Sequence, residues 1–379
     1  METPFVFGKI VYDKDFTDRE QESEKLLSCF ISSVNTILIS PRRWGKSSLV
    51  LKVSELVKKK DKNIHICFID LNNVRTEEQF YKQFTTEVLK VMSTKTQVLL
   101  DNAKKFLGRF VPVISLNPLP GSEFKLSLDW EEVKREPDDI LDLPEKICKS
   151  ANKKLVICID EFQNISELGD PLGFQKKLRS HWQKHRKVSY CLYGSKKRMM
   201  TDVFTSPSMP FFRFGEVIFL DKISTSDWVK FIVKRFRDTG KKITKKEALM
   251  ISDLADCHPY FVQQLAQQSW LRTEKACNPD IIRASFGDIV LQLSLLYQNL
   301  TDNFSTTQLN LLKALLNDEE QLSSQKIIQE YGLGTSANVT KIKKTLSDKE
   351  IIDLQNDKIS FLDPLYKYWL KEYFFKIDQ

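Results

Sequence analysis

The chain has 379 residues, of which 41% are hydrophobic and 28% charged, so it is long enough for two or three domains with a sizeable buried core. No apolar run approaches the roughly 18 residues that a membrane span needs, so we expect no membrane-spanning segment. The formal net charge of +8 permits contact with nucleic acid but does not demand it, because lysine is spread widely along the sequence.

Two features indicate the compartment. Residues 1–7 lack the basic and then apolar layout of a secretory signal. The seven cysteines are scattered singly, and three of them fall in apolar runs, which is typical of reduced thiols that fill a core. We therefore expect an intracellular, cytoplasmic protein with no membrane partner.

The first half of the chain alternates helical and strand patterns. A helix that Thr17 or Asp18 would cap comes first. Five short hydrophobic blocks then predict β-strands, because they are nearly continuous rather than alternating, as parallel strands buried on both faces are. The blocks cover residues 36–40, 64–70, 155–160, 188–193 and 217–220, and helical patterns at 49–60 and 80–92 follow the first two. This order predicts an α/β fold with a doubly wound parallel sheet.

The first predicted strand leads into a sequence that matches the phosphate-binding loop G-x-x-x-x-G-K-[ST], with Ser40 in place of the first glycine. Backbone N–H groups and the helix N-terminus would cradle phosphate. Lys46 would reach the β- and γ-phosphates, and the Ser47 hydroxyl would take one Mg²⁺ position. The alternative is an ordinary strand-to-helix turn. The predicted nucleotide-binding residues are Ser40, Pro41, Arg42, Arg43, Trp44, Gly45, Lys46, Ser47 and Ser48.

The third predicted strand ends in Asp160 and Glu161. It delivers two adjacent carboxylates to the edge of the sheet where ligands bind in open α/β folds. Asp160 could hold Mg²⁺ through its water shell, and Glu161 could orient and deprotonate the attacking water. A plain helix cap is the alternative for this pair alone. Together with Lys46 and Ser47, the pair predicts binding and hydrolysis of a nucleotide.

Two other stretches of this half invite a functional interpretation. Residues 107–144 contain five prolines and a short alternating segment, which predict a surface insertion with a hairpin or edge strand that serves contacts or is merely tolerated. His181 and His185 have i, i+4 spacing, but no neighbouring Cys or carboxylate completes a zinc site. We therefore predict that these histidines lie on a solvated helix face.

The second half is helical and ends in a small mixed module. Ser224 or Ser226 would open one helix and Thr244 the next, and further helical patterns cover residues 261–271 and 289–300. Three more helices, at residues 304–316, 323–331 and 336–350, precede two short β runs, at 351–354 and 358–362, and a closing helix at 364–375. Three helices with a β-hairpin predict a winged helix. The predicted domains are residues 1–221, 222–300 and 301–379.

With these motifs in place, the chain resembles the archaeal-type prokaryotic ATPase group of the AAA+ and STAND P-loop NTPases. The members of that group combine a P-loop domain, a helical lid and a winged helix. The two nucleotide motifs are specific for the superfamily. Looser matches lie at residues 16–20, 193–195, 258–261 and 361–370, so the resemblance covers nearly the whole chain.

The resemblance implies further site residues. Ser195 falls where AAA+ proteins keep a polar sensor of the γ-phosphate, or is a simple turn residue. Arg213 matches the place of the arginine finger that completes a neighbouring subunit's site, or is a surface arginine. His258 and Pro259 resemble the lid loop whose proline packs on adenine in STAND proteins. The lid lacks an arginine sensor, although Arg272 lies one helix on, and this absence favours a switch over a processive motor.

The winged helix raises the possibility of DNA binding. Its third helix carries Lys341, Lys343 and Lys344, and Asn338 and Thr340 could reach base edges. That helix has no arginine, the usual reader of guanine. The alternative role is a clamp between domains that holds the nucleotide-bound state.

The sequence thus predicts an ATP-binding, Mg²⁺-dependent and ATP-hydrolysing switch that couples its nucleotide state to domain rearrangement or to assembly with itself or a protein partner. Two alternatives stay open. One is a DNA-binding protein regulated by ATP or ADP, and the other is a non-hydrolysing scaffold or partner-regulated effector.

Overall fold

The computed structural model describes residues 3–11, 15–93, 105–107, 113–116, 124–355 and 358–377. They form two compact units. The sheet unit is Arg19–Asp221, and the helical unit joins Met1–Asp18 to Lys222–Gln379.

A five-stranded sheet forms the centre of the sheet unit. Its strands are β1 (Thr36–Ile39), β2 (Ile64–Asp70), β5 (Lys154–Asp160), β6 (Val188–Gly194) and β7 (Glu216–Phe219). They pair in the order β2-β5-β6-β1-β7, and every pairing is parallel. All residues of β1 and β6 are buried, as their continuous hydrophobic sequences require. The predicted doubly wound α/β fold is confirmed.

Helices cover the sheet and fill the connections. They are α1 (Glu20–Ile31), α2 (Lys46–Lys60), α3 (Glu77–Met92), α4 (Trp130–Arg135), α5 (Asp138–Leu141), α6 (Leu143–Ala151), α7 (Pro171–Trp182) and α8 (Lys197–Thr205), with a 3₁₀ helix at Phe162–Glu167. The aromatic core joins them to the sheet, since Trp182 of α7 stacks on Tyr190 of β6 with 4.1 Å between ring centres.

The predicted cap of α1 was wrong. The helix begins after Arg19, which has a left-handed backbone with φ of 73° and makes no side-chain cap. The Arg19 guanidinium instead donates to the carbonyl of Asp221 and pairs with Glu22 at 2.9 Å. The contact with Asp221 joins the two ends of the sheet unit.

The described parts of the insertion contain more regular secondary structure than its prolines suggested. It contains the predicted hairpin, formed by β3 (Val113–Leu116) and β4 (Phe124–Ser127) in antiparallel register. Residues 130–144, however, are mostly helical, because Asp129 caps α4 and the prolines stand at helix starts. Proline is tolerated there, since the first N–H groups of a helix have no partner within the helix.

The helical unit contains the predicted series of helices and the terminal hairpin. The helices are α9 (Thr225–Asp238), α10 (Lys245–Leu254), α11 (Pro259–Arg272), α12 (Pro279–Asp302), α13 (Thr306–Leu316), α14 (Gln325–Glu330), α15 (Ser336–Asp348) and α16 (Pro364–Trp369), and the strands are β8 (Ile352–Gln355) and β9 (Lys358–Phe361). Ser224 caps α9, and Thr244 forms a capping box with Glu247 on α10. The predicted turn of the hairpin, residues 355–357, lies mostly outside the described residues.

The first residues of the chain pack in the helical unit, whereas the sequence-based division kept them with the sheet. Phe5 is 1% exposed and lies against Phe231 and Phe236 of α9. The buried Arg235 donates to the Pro4 carbonyl at 2.6 Å and pairs with Asp15 at 2.5 Å. An N-terminal segment therefore completes the core of this unit.

One hydrophobic core runs through the helical unit from Phe5 through Trp228 to Leu370. Helices α9 to α12 and the C-terminal winged helix therefore share buried side chains. Across the described ranges of the chain, no helix is long and apolar enough to cross a bilayer.

Candidate functional site

The predicted phosphate-binding loop joins β1 to α2, and α2 begins at Lys46. Gly45 has a φ of 91°, a conformation that glycine adopts without strain. Ser40 is fully buried and does not have a positive φ, so a serine replaces the usual first glycine without backbone strain. The loop therefore leads directly into the N-terminus of α2, where the first backbone N–H groups have no partner within the helix.

The ammonium group of Lys46 folds back into this loop. Its Nζ donates to the carbonyl oxygens of Ser40 at 2.9 Å and Pro41 at 2.8 Å, and to the Ser40 hydroxyl at 3.3 Å. The Lys46 residue is 6% exposed. The hydroxyl at position 40 thus supplies an acceptor that a glycine would lack, and the buried charge is hydrogen-bonded as burial requires.

The two predicted metal ligands lie together. The Ser47 hydroxyl donates to Oδ2 of Asp160 at 2.9 Å, and Oδ1 of Asp160 accepts the backbone N–H of Glu161 at 2.8 Å. Burial raises the pKa of the Asp160 carboxyl to about 6, against the opposing effect of these hydrogen bonds. A carboxylate whose ionised form is disfavoured by burial is typical of a functional site, where a bound cation would stabilise the charge.

This pair fits Mg²⁺. A hydroxyl and a carboxylate are the hard oxygen ligands that Mg²⁺ prefers, and Mg²⁺ keeps several waters and phosphate oxygens rather than an all-protein cage. Accordingly, the described part of the chain has no cluster of three or more His, Cys, Asp or Glu that could hold a metal by itself. Ser47 and Asp160 would be the residues that hold it.

Glu161 and Ser195, predicted from different strands, are in contact. Oε2 of Glu161 accepts from the Ser195 hydroxyl at 2.9 Å, from the Ser195 N–H at 3.4 Å, and from Nε2 of Gln163. The Ser195 hydroxyl in turn accepts from Nε of Arg42 at 3.3 Å. This network connects the phosphate loop, the end of β5 and the end of β6.

Gln163 has a place in this network that the sequence analysis did not foresee. It belongs to the stretch that follows Asp160 and Glu161, but no spacing rule marks a glutamine in a 3₁₀ helix as functional. Asn164, Ser166 and Glu167 lie in the same stretch, so polarity does not single out Gln163 either.

Arg213 is not brought to this site. It is exposed, its guanidinium lies 5.1 Å from the centre of the Phe212 ring, and its φ is 53°. Arg213 precedes β7, which runs parallel to β1, so it lies at the edge of the sheet opposite to Lys46. It therefore does not contact the phosphate loop of its own chain, and a role in a neighbouring subunit's site stays a prediction.

His258 and Pro259 belong to the helical unit. His258 is 5% exposed at the cap position of α11, with its ring 4.9 Å from that of Phe261, and Pro259 is the first residue of that helix. Their contact with adenine stays a prediction. Arg272, at the end of α11, pairs with Asp288 of α12.

The predicted recognition helix of the winged helix is α15. Lys341 and Lys344 are exposed on it, and Lys343 is half-buried. The Asn338 amide donates to the Leu333 carbonyl at 2.8 Å and the Thr340 hydroxyl to Ser336 at 3.1 Å. In this structure these two polar groups are therefore bound within their own segment, and the exposed lysines are the groups that α15 presents.

The prediction of a solvated histidine pair was wrong. His181, in the last turn of α7, and His185, three residues beyond its end, are both buried, at 7% and 8% exposure. Both rings contact Oδ1 of Asp142, at 2.9 and 3.2 Å, and His185 also contacts the Tyr190 hydroxyl at 2.9 Å. Asp142 lies about 40 residues earlier in the sequence, so no local spacing announces this cluster.

Comparison with known proteins supports the predicted fold. A family model described as a probable winged helix domain matches residues 295–372. The Walker-type ATPase PABY2304 of Pyrococcus abyssi superposes with a TM-score of 0.66 at 17% identity, over 97% of this chain and 100% of that one. A comparison with curated proteins gave no match.

Two ORC proteins of Aeropyrum pernix have a similar fold. ORC2, solved in ADPNP–ADP complexes, has a TM-score of 0.57 at 15% identity over 96% of this chain and 94% of its own. ORC1, solved in complex with DNA, has a TM-score of 0.51 at 12% identity over 98% of each chain. The resemblance noted from the sequence is confirmed for the fold: this chain has the AAA+ P-loop ATPase fold with a C-terminal winged helix.

Proposed function

We propose that this protein is a Mg²⁺-dependent ATPase that works as a nucleotide-controlled switch. The hydrogen bond between Ser47 and Asp160 is the observation that carries the proposal. It joins the end of the phosphate loop to a partly buried carboxylate, and these are the two residues that would hold a magnesium ion beside bound phosphates. The similarly folded ORC2, which was solved with ADPNP and ADP, gives independent support.

Each residue has a defined task in this proposal. Lys46 would exchange its carbonyl partners for phosphate oxygens, and Ser47 and Asp160 would hold Mg²⁺. Bound Mg²⁺ would neutralise charge on the phosphates. Glu161 orients the attacking water and accepts its proton, while Ser195 hydrogen-bonds near the γ-phosphate.

The switch would work by assembly or by lid closure. Arg213, exposed at the opposite edge of the sheet, suits a finger that reaches into a second copy. His258 and Pro259 are the residues we assign to the adenine. A protein partner is the alternative to a second copy, with the insertion that carries β3 and β4 as its contact. The seven cysteines, none of which is in a disulfide, favour a reducing compartment such as the cytoplasm.

Two substitutions test the proposed ATPase. Lys46→Ala should abolish binding of a slowly hydrolysed ATP analogue, and Glu161→Gln should preserve binding while lowering turnover by about 100-fold or more. The matched controls are Lys60→Ala, at the exposed far end of the same helix, and Glu131→Gln on α4. Unchanged turnover in Lys46→Ala or Glu161→Gln would overturn the proposal.

A second candidate function is DNA binding regulated by the bound nucleotide. Lys341 and Lys344 are exposed on α15, and the similarly folded ORC1 was solved with DNA. Replacing both lysines by glutamate should weaken binding to duplex DNA and reduce its salt dependence by about two phosphate contacts. Lys367→Glu, an exposed charge reversal on α16, is the control. Absence of binding at low salt would exclude this function.

A further inference from the structure

The Gln163 side chain lies between two strand ends in the sheet unit. It is 1% exposed, and its Nε2 donates to Oε2 of Glu161. Its Oε1 is buried without a hydrogen-bond partner. A buried amide with one unsatisfied end is costly, so its retention needs an explanation.

The Gln163 amide packs against Gly194, the last residue of β6. A Cβ added at Gly194 would lie 1.8 Å from Oε1 of Gln163 and 3.0 Å from its Cδ. Gly194 does not have a positive φ, so the backbone itself does not require glycine. The missing side chain is what lets the Gln163 amide lie across the end of β6.

The chemistry of the contact fixes the orientation of the amide. An ionised Glu161 carboxylate can only accept, so the NH₂ end of Gln163 must face it and the carbonyl end must face Gly194. The reverse orientation would bring two acceptor oxygens together. Gln163 Oε1 therefore lacks a hydrogen-bond partner because the amide is oriented so that its NH₂ group donates to Glu161.

All the hydrogen bonds that the described residues make to the Glu161 carboxylate fall on Oε2. Gln163 provides one, and the hydroxyl and N–H of Ser195 provide the others. With Oε2 held from two sides, the carboxylate plane is fixed and Oε1 remains for a water. Glu161 has a left-handed backbone with φ of 52°, an uncommon conformation that also directs this side chain.

We propose that Gln163 is a positioning residue for Glu161, and that the absence of a side chain at Gly194 leaves the space that the Gln163 amide needs. This inference rests on the proposed ATPase function, since it assigns the carboxylate that Gln163 holds to the attacking water. Gln163 would touch neither nucleotide nor metal. It acts through Glu161, so its loss should lower kcat and leave nucleotide affinity unchanged.

The first test removes the donor. Gln163→Leu in the full chain should lower kcat for Mg²⁺·ATP by about 10- to 100-fold, the cost of a slightly misplaced catalytic group. Affinity for a slowly hydrolysed ATP analogue should stay within about twofold. Gln175→Leu is the matched control, because Gln175 is also 1% exposed in the sheet unit with an unpartnered Oε1, but lies on α7 away from Glu161.

The second test moves the donor without removing it. Gly194→Ala should displace the flexible end of Gln163 and give the same loss of kcat, whereas Gly169→Ala, in open space, should give none. The double variant with Gln163→Leu should be no worse than either single variant, because both remove one interaction. Losses that multiply would show that Gly194 acts separately and would overturn its assigned role.

The third test distinguishes positioning from mere structural support. In the variant Gln163→Glu, the introduced carboxyl group can still donate to Glu161 when it is protonated, but it repels Glu161 when it is ionised. The activity of this variant relative to the wild type should therefore rise as pH falls from about 8.5 to 6. A ratio that does not change with pH would show that the group at position 163 does not influence Glu161, and would overturn the positioning role.

Glu161→Gln, measured in parallel, separates the two levels of the argument. If Glu161→Gln abolishes turnover and both Gln163→Leu and Gly194→Ala keep wild-type kcat, the positioning role is overturned and the ATPase assignment stands. If Glu161→Gln has no effect on turnover, the proposed function falls, and the role of Gln163 falls with it. The proposal is supported if Gln163→Leu and Gly194→Ala both lower kcat and still bind the ATP analogue, and if the activity of Gln163→Glu relative to the wild type rises as pH falls.

Discussion

The hydroxyl of Ser47 donates a 2.9 Å hydrogen bond to the carboxylate of Asp160, although 113 positions separate the two residues in the sequence. Ser47 follows β1 and Asp160 ends β5, and β6 lies between these strands in the sheet. The loop after β1 therefore reaches across the end of β6 to meet Asp160. That crossing places the loop over the carboxyl ends of three strands, where ligands bind in this class of sheet.

The first prediction concerns the pH dependence of this contact. Because burial raises the pKa of Asp160 to about 6, the carboxyl is protonated below that pH and no longer attracts a cation. At pH 5, the Mg²⁺-dependent part of the affinity for a slowly hydrolysed ATP analogue should fall by about tenfold relative to pH 7.5. Calorimetric titrations of the analogue with and without Mg²⁺, at both pH values, measure this Mg²⁺-dependent part of the affinity.

The control for that experiment is Asp160→Asn. ATP itself binds protons in this range, so a variant without the carboxyl shows what the ligand alone contributes. The Mg²⁺-dependent part should be small and independent of pH in the variant. An equal pH dependence in both proteins would contradict the assignment of Asp160.

The second prediction is that the same residue costs stability when no nucleotide is bound. The folded pKa of Asp160 lies above its unfolded value, so the ionised carboxyl opposes folding above about pH 6 and the penalty disappears below about pH 4. Asp160→Asn should therefore raise the free energy of unfolding at pH 8 by on the order of 1–3 kcal/mol while turnover is lost. Urea unfolding measures the difference.

Asp70→Asn is the matched control for stability. Asp70 is the register partner of Asp160 at the end of β2, but it is exposed. Its replacement should not stabilise the protein. Equal stability of the wild type and Asp160→Asn at pH 8 would contradict the prediction.

The phosphate loop, its carboxylate partner and the strands could be predicted because each is encoded locally. A continuous apolar run gives a buried strand, and a glycine followed by Lys46 and Ser47 gives a loop and a helix start. The order of helices and strands then sets the sheet class. The approach of Asp160 to Ser47 followed from the rule that parallel strands end at one edge.

The failures share a different cause. His181 and His185 are buried because Asp142 of a preceding helix junction meets them, and no periodicity within α7 reveals that partner. Prolines at positions 137 and 144 suggested a loop, although proline suits the start of a helix equally well. Gln163 and Gly194 are joined only by the fold. Sequence patterns predict local structure and burial, but they do not predict which residue of another helix or strand a side chain will contact.

The third prediction concerns acid stability of the sheet unit. Burial lowers the pKa of His185, partly offset by its hydrogen bond to Asp142. Burial pushes the pKa of Asp142 up, but hydrogen bonds from His181 and His185 outweigh it, so this pKa lies below its ordinary value. Both folded pKa values are depressed, so both groups contribute stability that is lost as pH falls.

The loss should begin below the unfolded histidine pKa of about 6.5 and continue through the range below about 4, where Asp142 takes up its proton. Urea unfolding at pH 7.5 and 5.5 should show a smaller difference for His185→Gln than for the wild type. The variant should also be less stable at pH 7.5, by about 1 kcal/mol for the lost hydrogen bonds. An unchanged difference between the two pH values would rule out His185 as the responsible group.

The last prediction addresses the N-terminal segment, which completes the core of the helical unit. Phe5 is 1% exposed against Phe231 and Phe236, and its segment is further held by Arg235, which donates to the Pro4 carbonyl. Phe5→Ala should lower the free energy of unfolding by about 3–5 kcal/mol, since it removes a large buried side chain and leaves a cavity.

Phe7→Ala is the comparison, because Phe7 lies two residues away and is only partly buried against Tyr260. It should cost clearly less. If Phe5 instead behaves like Phe7, the segment adds little to the core and its removal should be tolerated. If the loss is large, the beginning of the chain is a structural part of the unit that contains His258 and Pro259, because Gln267 of the helix that follows them donates to the Phe5 carbonyl at 2.8 Å.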